Sequence, residues 1–121
     1  METERGRQAF QVEIARTPRE HELGLMFRRS LAKNSGMLFQ YAYPSIIRMW
    51  MKNTFIPLDM IFISEEGYVV RVFERAVPGS LQIISSEKPV KAVLEVNGGT
   101  VSRIGLKIGD RIYHPFFKVG D

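Results

Sequence analysis

Three bulky charged or aromatic side chains alternate along one short segment in the middle of the chain. On an extended strand Arg48, Trp50 and Lys52 would share one face, with successive members about 6 to 7 Å apart. A ring between two cations can stack on a sugar or an aromatic group and hold an anion. The alternative is that Trp50 caps the core beneath the aliphatic stems of the two cations. The segment by itself favours core capping, with a ligand-binding face as the other interpretation.

The two residues that follow extend this face. Asn53 and Thr54 supply amide and hydroxyl groups where the predicted strand ends and a loop could present them to a ligand. An Asn at this position is also common in turns.

Two carboxylates on predicted strands are the candidates for acid or base chemistry. Asp59 lies in an apolar run, so a buried Asp59 would need a partner, for which Arg28 and Lys52 are candidates. Glu95 lies on a later strand. If the two carboxylates converged in a cleft, they could act as the acid and base of a hydrolase or lyase, with Lys52 or Arg28 neutralising developing charge. A structural ion pair at Asp59 is the alternative.

A glycine pair follows the strand that carries Glu95. Asn97 leads into Gly98 and Gly99, and the N–H groups of such a turn at the start of a helix can bind an anion. Glycines here also fit a simple requirement for positive φ. The predicted ligand-binding residues are therefore Arg28, Arg48, Trp50, Lys52, Asn53, Thr54, Asn97 and Gly98.

Several common chemistries are excluded by residue type. The chain has no cysteine, which removes disulfides, thiolate nucleophiles and cysteine-based metal sites. Its two histidines, His21 and His114, lack carboxylates at metal-ligand spacing and are expected at the surface. We therefore predict no metal site and no cofactor.

The elements that must position these residues are mostly short strands. Seven segments have the alternation or the apolar run of a strand: 10–15, 37–42, 46–52, 57–63, 68–77, 91–97 and 111–114. The turn over 64–67 makes its two flanking strands antiparallel neighbours. Residues 78–90 are expected to form a loop.

Two short helices accompany the strands. Thr17 to Glu20 form a capping box that begins a helix expected to continue to about Arg28, with Leu23, Met26 and Phe27 buried. A second helix opens after Gly99 and ends at Gly105. With no repeated βαβ alternation, we predict a β-rich α+β fold, either a curved antiparallel sheet or a small barrel of about seven strands with two short helices.

Length and charge bound the organisation and the partners. The 121 residues fit one domain over residues 9–121, preceded by a flexible charged tail over residues 1–8. The net charge of +4 is spread along the chain, so nucleic-acid binding is not expected. No segment is apolar enough for a membrane span and no leader is visible, which predicts a soluble protein, cytoplasmic or exported after removal of a leader. No feature indicates an oligomeric state.

Several phrases together resemble the domain-of-unknown-function 192 (DUF192) family. They cover residues 10–112 in the family's order and are Gly24-Leu25-Met26-Phe27-Arg28, Gly36-Met37-Leu38-Phe39, Trp50-Met51-Lys52-Asn53-Thr54, Ile56-Pro57-Leu58-Asp59, Val93-Leu94-Glu95-Val96-Asn97-Gly98-Gly99-Thr100 and Gly105-Leu106-Lys107-Ile108-Gly109-Asp110. The resemblance implies a stand-alone prokaryotic domain, often exported, without an assigned activity. Asn97-Gly98-Gly99 replaces the family's Asn-Ala-Gly, and the cysteines of some relatives are absent from 76–86.

Three hypotheses follow. The leading one is a non-catalytic module that binds a polar ligand, such as a glycan or a partner segment, through Arg48, Trp50, Lys52 and Asn53. The second is a hydrolase or lyase that uses Asp59 or Glu95. The third is a scaffold or protein-interaction domain without a small-molecule site, in which the polar residues only satisfy buried groups.

Overall fold

A five-stranded sheet organises the part of the chain that the computed structural model describes, residues 1–3 and 8–118. Its strands are, in spatial order, β2 (Gln11–Ala15), β3 (Ser35–Ser45), β8 (Val90–Asn97), β5 (Leu58–Ile63) and β6 (Val69–Ala76). Two short pairs flank it: β1 (Glu2–Thr3) with β9 (Ile112–Tyr113), and β4 (Arg48–Met49) with β7 (Ile84–Ser85). The helices are α1 (Pro18–Leu23) and α2 (Thr100–Ile104).

The central sheet is open and mixed. β2 and β3 run parallel, because α1 and the segment after it carry the chain back to the start of the next strand, whereas the other three pairs are antiparallel. The β-rich α+β fold with two short helices is confirmed. The small barrel and the wholly antiparallel sheet are wrong for the described residues, and nine strands rather than about seven are present there because β1 and β7 add to those predicted.

Both faces of the sheet are buried under separate apolar clusters. Every residue of β5 is buried, as expected for a central strand covered on both sides. One cluster includes Met37, Phe39, Met60, Phe62 and Val93, and the other Leu38, Ile61, Ile63, Leu94 and Val96. Consecutive residues of a strand therefore enter different clusters, as strand geometry requires.

The first helix begins as predicted and ends early. The Thr17 hydroxyl accepts from the Glu20 amide at 3.1 Å, and the Glu20 carboxylate accepts from the Thr17 amide at 3.0 Å, so the capping box is confirmed. Gly24 then takes a φ of 47° and its N–H bonds to the Glu20 carbonyl, which ends α1 at Leu23. Continuation to Arg28 is therefore wrong.

The early end of α1 changes which of its apolar side chains are buried. Leu23 and Phe27, predicted to be core, are 53% and 58% exposed, while Leu25 enters the core in their place.

The segment predicted as a strand over 46–52 pairs with β7 only at Arg48 and Met49. Its alternation holds nevertheless. Ile47 and Met51 are buried, whereas Arg48, Trp50 and Lys52 are exposed. The loop predicted over 78–90 contains β7, whose pairing anchors this segment.

The ends of the described chain also differ from expectation. The flexible tail predicted over residues 1–8 is wrong for residues 1–3, since Glu2 and Thr3 pair with β9 and Thr3 is buried. Residues 4–7 of that prediction lie outside the described residues. None of the helices in the described part of the chain is long and apolar enough to cross a membrane.

Candidate functional site

A cleft of about 320 Å³ opens on the sheet face that carries Glu95. Its floor is formed by Phe39 and Tyr41 of β3 and by Glu95 of β8, and its walls by α1 and residues 46–50. The β2–α1–β3 crossover brings α1 over this face, while the β4–β7 pair holds the opposite wall. We call this feature the Glu95 cleft.

Glu95 is the buried carboxyl at the floor of the cleft. It is 4% exposed and lies across from Met37 of β3 and Met60 of β5. Among the described residues no group forms a hydrogen bond or an ion pair with it. Burial raises the pKa of Glu95 to about 8, because the charged form loses hydration without gaining a counter-charge. The carboxyl is therefore mostly protonated at neutral pH.

His21 and Tyr41 form one side of the cleft beside Glu95. The His21 Nε2 atom is 2.9 Å from the Ala15 carbonyl oxygen and 2.8 Å from that of Gln40. Since carbonyl oxygens only accept, Nε2 carries a hydrogen that it donates to this pair. The Tyr41 ring centroid lies 4.4 Å from that of His21. Burial, and secondarily the Glu95 charge, raise the pKa of Tyr41.

Arg48 and Trp50, two of the residues predicted to form a binding face, lie at the mouth of the cleft. Trp50 is 42% exposed and lines the cleft together with Arg48. The Lys52 ammonium lies 5.2 Å from the centroid of the Trp50 ring, within the range of a cation–π contact. Thr54 also lines the cleft, but it is buried and its hydroxyl donates to the Lys52 carbonyl at 3.1 Å.

A second, more apolar groove of about 600 Å³ adjoins the cleft. Glu22, Leu23, Met26 and Trp50 line both, so these four side chains form the boundary between them. Lys52 and Asn53 line the groove, which we call the Trp50 groove. Asn53 adopts a φ of 54°, and its carbonyl accepts from the Phe27 amide at 2.8 Å. The Asn53 backbone therefore has a structural role in holding the two segments together.

Asp59 lies on the opposite face of the sheet from Glu95. It pairs in register with Val96, whereas its neighbour Met60 pairs with Glu95. The two carboxyls therefore point to opposite sides, and their action as a catalytic pair is ruled out. Neither predicted ion-pair partner of Asp59, Arg28 or Lys52, contacts it.

The Asp59 carboxylate instead accepts three backbone hydrogen bonds. The donors are the N–H groups of Arg75 at 2.8 Å, Gly99 at 3.2 Å and Val101 at 2.8 Å. Two of them lie at the start of α2, at the N-cap Gly99 and at Val101 in the first turn, and Gly99 has no side chain that could accept from the Val101 N–H. Asp59 thus caps α2 from across the sheet.

Three further predicted site residues have structural partners away from the cleft. Arg28 forms a two-point ion pair with Glu13. The Asn97 amide donates to the Leu31 carbonyl at 2.7 Å, and the Gly98 N–H donates to the Pro57 carbonyl at 2.8 Å. A side chain at Gly98 would begin 3.0 Å from Pro57, which explains the glycine by close packing.

The family model of DUF192, an uncharacterised group described as "Uncharacterized ACR", matches residues 1–114.

The chain belongs to the DUF192 family.

Two crystal structures are similar to this chain. One, from Sinorhizobium meliloti 1021 and described as a "putative transcription regulator", is 50% identical, with a TM-score of 0.82 over 83% of this chain and 78% of the other. The second, a protein of unknown function from Novosphingobium aromaticivorans DSM 12444, is 42% identical, with a TM-score of 0.82 over 84% of this chain and 73% of the other. No curated protein matches.

The structure of this DUF192 domain divides the predicted site residues into three groups. Arg48, Trp50, Thr54 and Glu95 meet in the Glu95 cleft, and Lys52 and Asn53 lie beside it in the Trp50 groove. Arg28, Asp59, Asn97 and Gly98 lie elsewhere. His21, Glu22 and Tyr41 also line the cleft but were not among the predicted site residues. The capping box placed the first two on a helix, but no local signal indicates that this helix folds against β3.

Proposed function

We propose that this DUF192 domain is a non-catalytic binding module that takes a polar ligand, such as a glycan or a segment of a partner, into the Glu95 cleft and against Trp50. The observation that carries the proposal is a buried carboxyl, without a partner among the described residues, at the floor of an open cleft with a half-exposed indole at its mouth. Ligand sites commonly combine an apolar lining with a few such polar groups.

The surroundings of Glu95 favour a binding site over a scaffold. In a scaffold domain each buried polar group should be satisfied internally and no pocket is needed. Asp59 meets that expectation through its three backbone donors. Glu95 does not, and the polar partner that it lacks is one that a ligand can supply.

Trp50 offers a direct test because it is the only tryptophan of the chain. Sugars, short peptides, nucleotides and organic acids would be screened by thermal shift, since binding to the native state raises the melting temperature. Hits would then be titrated through Trp50 fluorescence in the native protein, and by isothermal titration calorimetry in the native protein and the variants. We expect Trp50→Ala to weaken binding by at least about tenfold, the loss of about 1.4 kcal/mol of contact energy.

Tyr43→Ala is the matched control, because Tyr43 is an exposed aromatic residue that does not line the cleft. Its ligand affinity should equal that of the native protein. If ligands bind both Trp50→Ala and Glu95→Leu with the affinity that they have for the native protein, binding occurs elsewhere and the proposal is wrong.

The raised pKa of Glu95 favours one alternative, a hydrolase or lyase in which Glu95 acts alone as a general acid. Asp59 has no part in it, and the Lys52 ammonium lies over the Trp50 ring. Under this alternative, Glu95→Gln would bind a hit normally yet lose all turnover of it. A hit recovered unchanged after long incubation with native protein would argue against catalysis on that ligand.

A further inference from the structure

The chemical class of the ligand is indicated by the charges around the Glu95 cleft. Arg48 lines it and is exposed, and no ion pair involving Arg48 forms among the described residues. Lys52 reaches the Trp50 ring at the mouth. The whole chain carries a net charge of +4. Among the described residues, Arg48 therefore brings a cation without an ion-pair partner to the cleft, where Glu22 is the exposed carboxylate among the lining residues.

The floor of the cleft offers a hydrogen-bond donor to an anion that enters. With its carboxyl protonated, Glu95 presents one O–H that none of the described residues accepts. Other titratable groups that line the cleft are His21 and Glu22 of α1, Tyr41 of β3 and Arg48 of β4.

A further carboxylate on the same sheet face is already neutralised. Glu13 of β2 is in register with Met37, which in turn pairs with Glu95, and Glu13 is held by Arg28. It therefore supplies no free charge toward the cleft.

We propose that the ligand of the Glu95 cleft carries an oxyanion, a carboxylate or a phosphate, that accepts a hydrogen bond from the protonated Glu95 carboxyl and pairs with Arg48. This inference rests on the proposed binding function and names the ligand class of that same site. Hydrogen bonds to ionised acceptors are shorter and about twice as strong as neutral ones, so a single O–H aimed at an oxyanion contributes substantially to binding.

A cationic ligand fits the site less well. It would meet Arg48 in the cleft, and it would have to displace the proton of Glu95 before gaining an ion pair at the floor, although Glu22 offers a carboxylate nearer the surface. The two cases have opposite pH dependence. Oxyanion binding requires protonated Glu95 and weakens as pH rises through about 8, whereas cation binding requires ionised Glu95 and strengthens over the same range.

The experiment uses benzoate, benzyl alcohol and benzamidine, which share one ring and differ in the charge of the attached group at both pH values, together with phenyl phosphate as a second oxyanion. The ring of each probe can contact Trp50, so only the polar group is varied. Binding is followed by the indole N–H signal of Trp50 in proton–nitrogen NMR spectra at about pH 6 and about pH 9.5. We expect benzoate or phenyl phosphate to bind best, with at least an approximately fivefold loss of affinity at the higher pH.

Variants separate the roles of the two binding groups. Glu95→Gln keeps a neutral N–H donor, so oxyanion binding should persist but lose its dependence on pH near 8. Arg48→Gln should weaken the oxyanions at least about tenfold and leave benzyl alcohol unchanged. Lys107→Gln, which removes an exposed cation far from the cleft, is the matched control for charge. His21→Gln measures any contribution of the imidazole to the pH profile.

Three other outcomes would contradict the inference that the ligand carries an oxyanion. Tighter binding of benzamidine at the higher pH would show a cation site. Equal binding of benzyl alcohol and benzoate would show that the site does not discriminate between neutral and anionic ligands. Both results would contradict the oxyanion inference but not the proposed binding function. If no probe moves the Trp50 signal, the oxyanion class is rejected, and the proposed function is then judged by its own wider screen.

Discussion

Glu95 has surroundings that disfavour its charged form. Its carboxyl lies on the central strand β8, between Met37 and Met60, in a cluster that is otherwise apolar. A hydrophobic side chain of similar size would be expected to stabilise the protein at this position. A carboxyl at this position is therefore explained better by contact with a ligand in the cleft than by stability. It also makes the stability of the fold depend on pH.

The pH dependence of stability follows from the folded pKa of about 8 against an ordinary value of 4.5. The folded state keeps a proton that the unfolded state releases, so stability is complete below about pH 4.5, falls as pH rises and levels off above about pH 8. At about 1.4 kcal/mol for each pH unit, the loss is on the order of 5 kcal/mol. Urea unfolding at about pH 5, 7 and 9 should show this fall in the native protein and not in Glu95→Gln.

Glu74→Gln, a change of an exposed carboxylate on β6, is the control and should keep the native pH dependence. Parallel stability curves for the native protein and Glu95→Gln would mean that Glu95 is hydrated or paired in solution.

Asp59 illustrates the opposite use of a buried carboxylate. It is fully buried, yet three backbone N–H groups satisfy it, so its role is to hold α2 and β6 rather than to react. We predict that Asp59→Ala destabilises the protein by about 3 kcal/mol, because charged hydrogen bonds are lost and buried donors are left without acceptors. Urea unfolding measures the loss, and hydrogen exchange should accelerate first at the amides of Gly99 and Val101.

Ligand binding in the Glu95 cleft should survive this change at temperatures where Asp59→Ala stays folded, because Asp59 faces the other side of the sheet. A parallel loss of ligand affinity and of α2 protection would contradict the separation of the two faces.

Among the elements, α1 determines the shape of the cleft. This six-residue helix is too short to be stable by itself, so its capping box and the His21 hydrogen bonds to β2 and β3 hold it in place. We predict that Thr17→Ala costs about 1 kcal/mol. The same change should shift the ring signals of His21 and Tyr41 in NMR spectra, because the helix carries His21.

Thr17→Ser keeps the hydroxyl acceptor and should restore both the stability and the ring signals. A Thr17→Ala protein whose aromatic signals are native would show that the packing of α1, and not its cap, positions His21.

At the scale of the whole molecule, we expect the central strands of the sheet to open more rarely than the short strand pairs at its margins. β8 lies between β3 and β5 and is buried on both faces, whereas the β4–β7 and β1–β9 pairs contain two residues per strand. We predict that native-state hydrogen exchange is slowest in β8 and β5 and faster by orders of magnitude in β4 and β7. The wall of the cleft that carries Arg48 should therefore open without global unfolding.

Mass spectrometry after timed exposure to deuterated water would check this order. Equal protection of β4 and β8 would show that the cleft wall unfolds only together with the core. Added ligand, once one is identified, should slow exchange in β4 more than in α2.

Local patterns in the sequence were sufficient for those features that depend on neighbouring residues. The capping box at Thr17, the hairpin turn over 64–67 and the alternation of Ile47 and Met51 against Arg48 and Trp50 are all found in the structure. Each depends on helix or strand geometry over a few residues, which sequence spacing determines. The family, and with it the β-rich α+β fold, was recognisable from the joint occurrence of its phrases.

Only the tertiary structure decided which polar residues meet. Placing Asp59 and Glu95 on opposite faces required the register of β5 against β8, and a slip of one residue would have reversed that result. Bringing His21 and Tyr41 beside Glu95 required the parallel β2–β3 crossover. Arrangements of this kind depend on contacts between residues distant in sequence, whose free energies are set by packing and burial together.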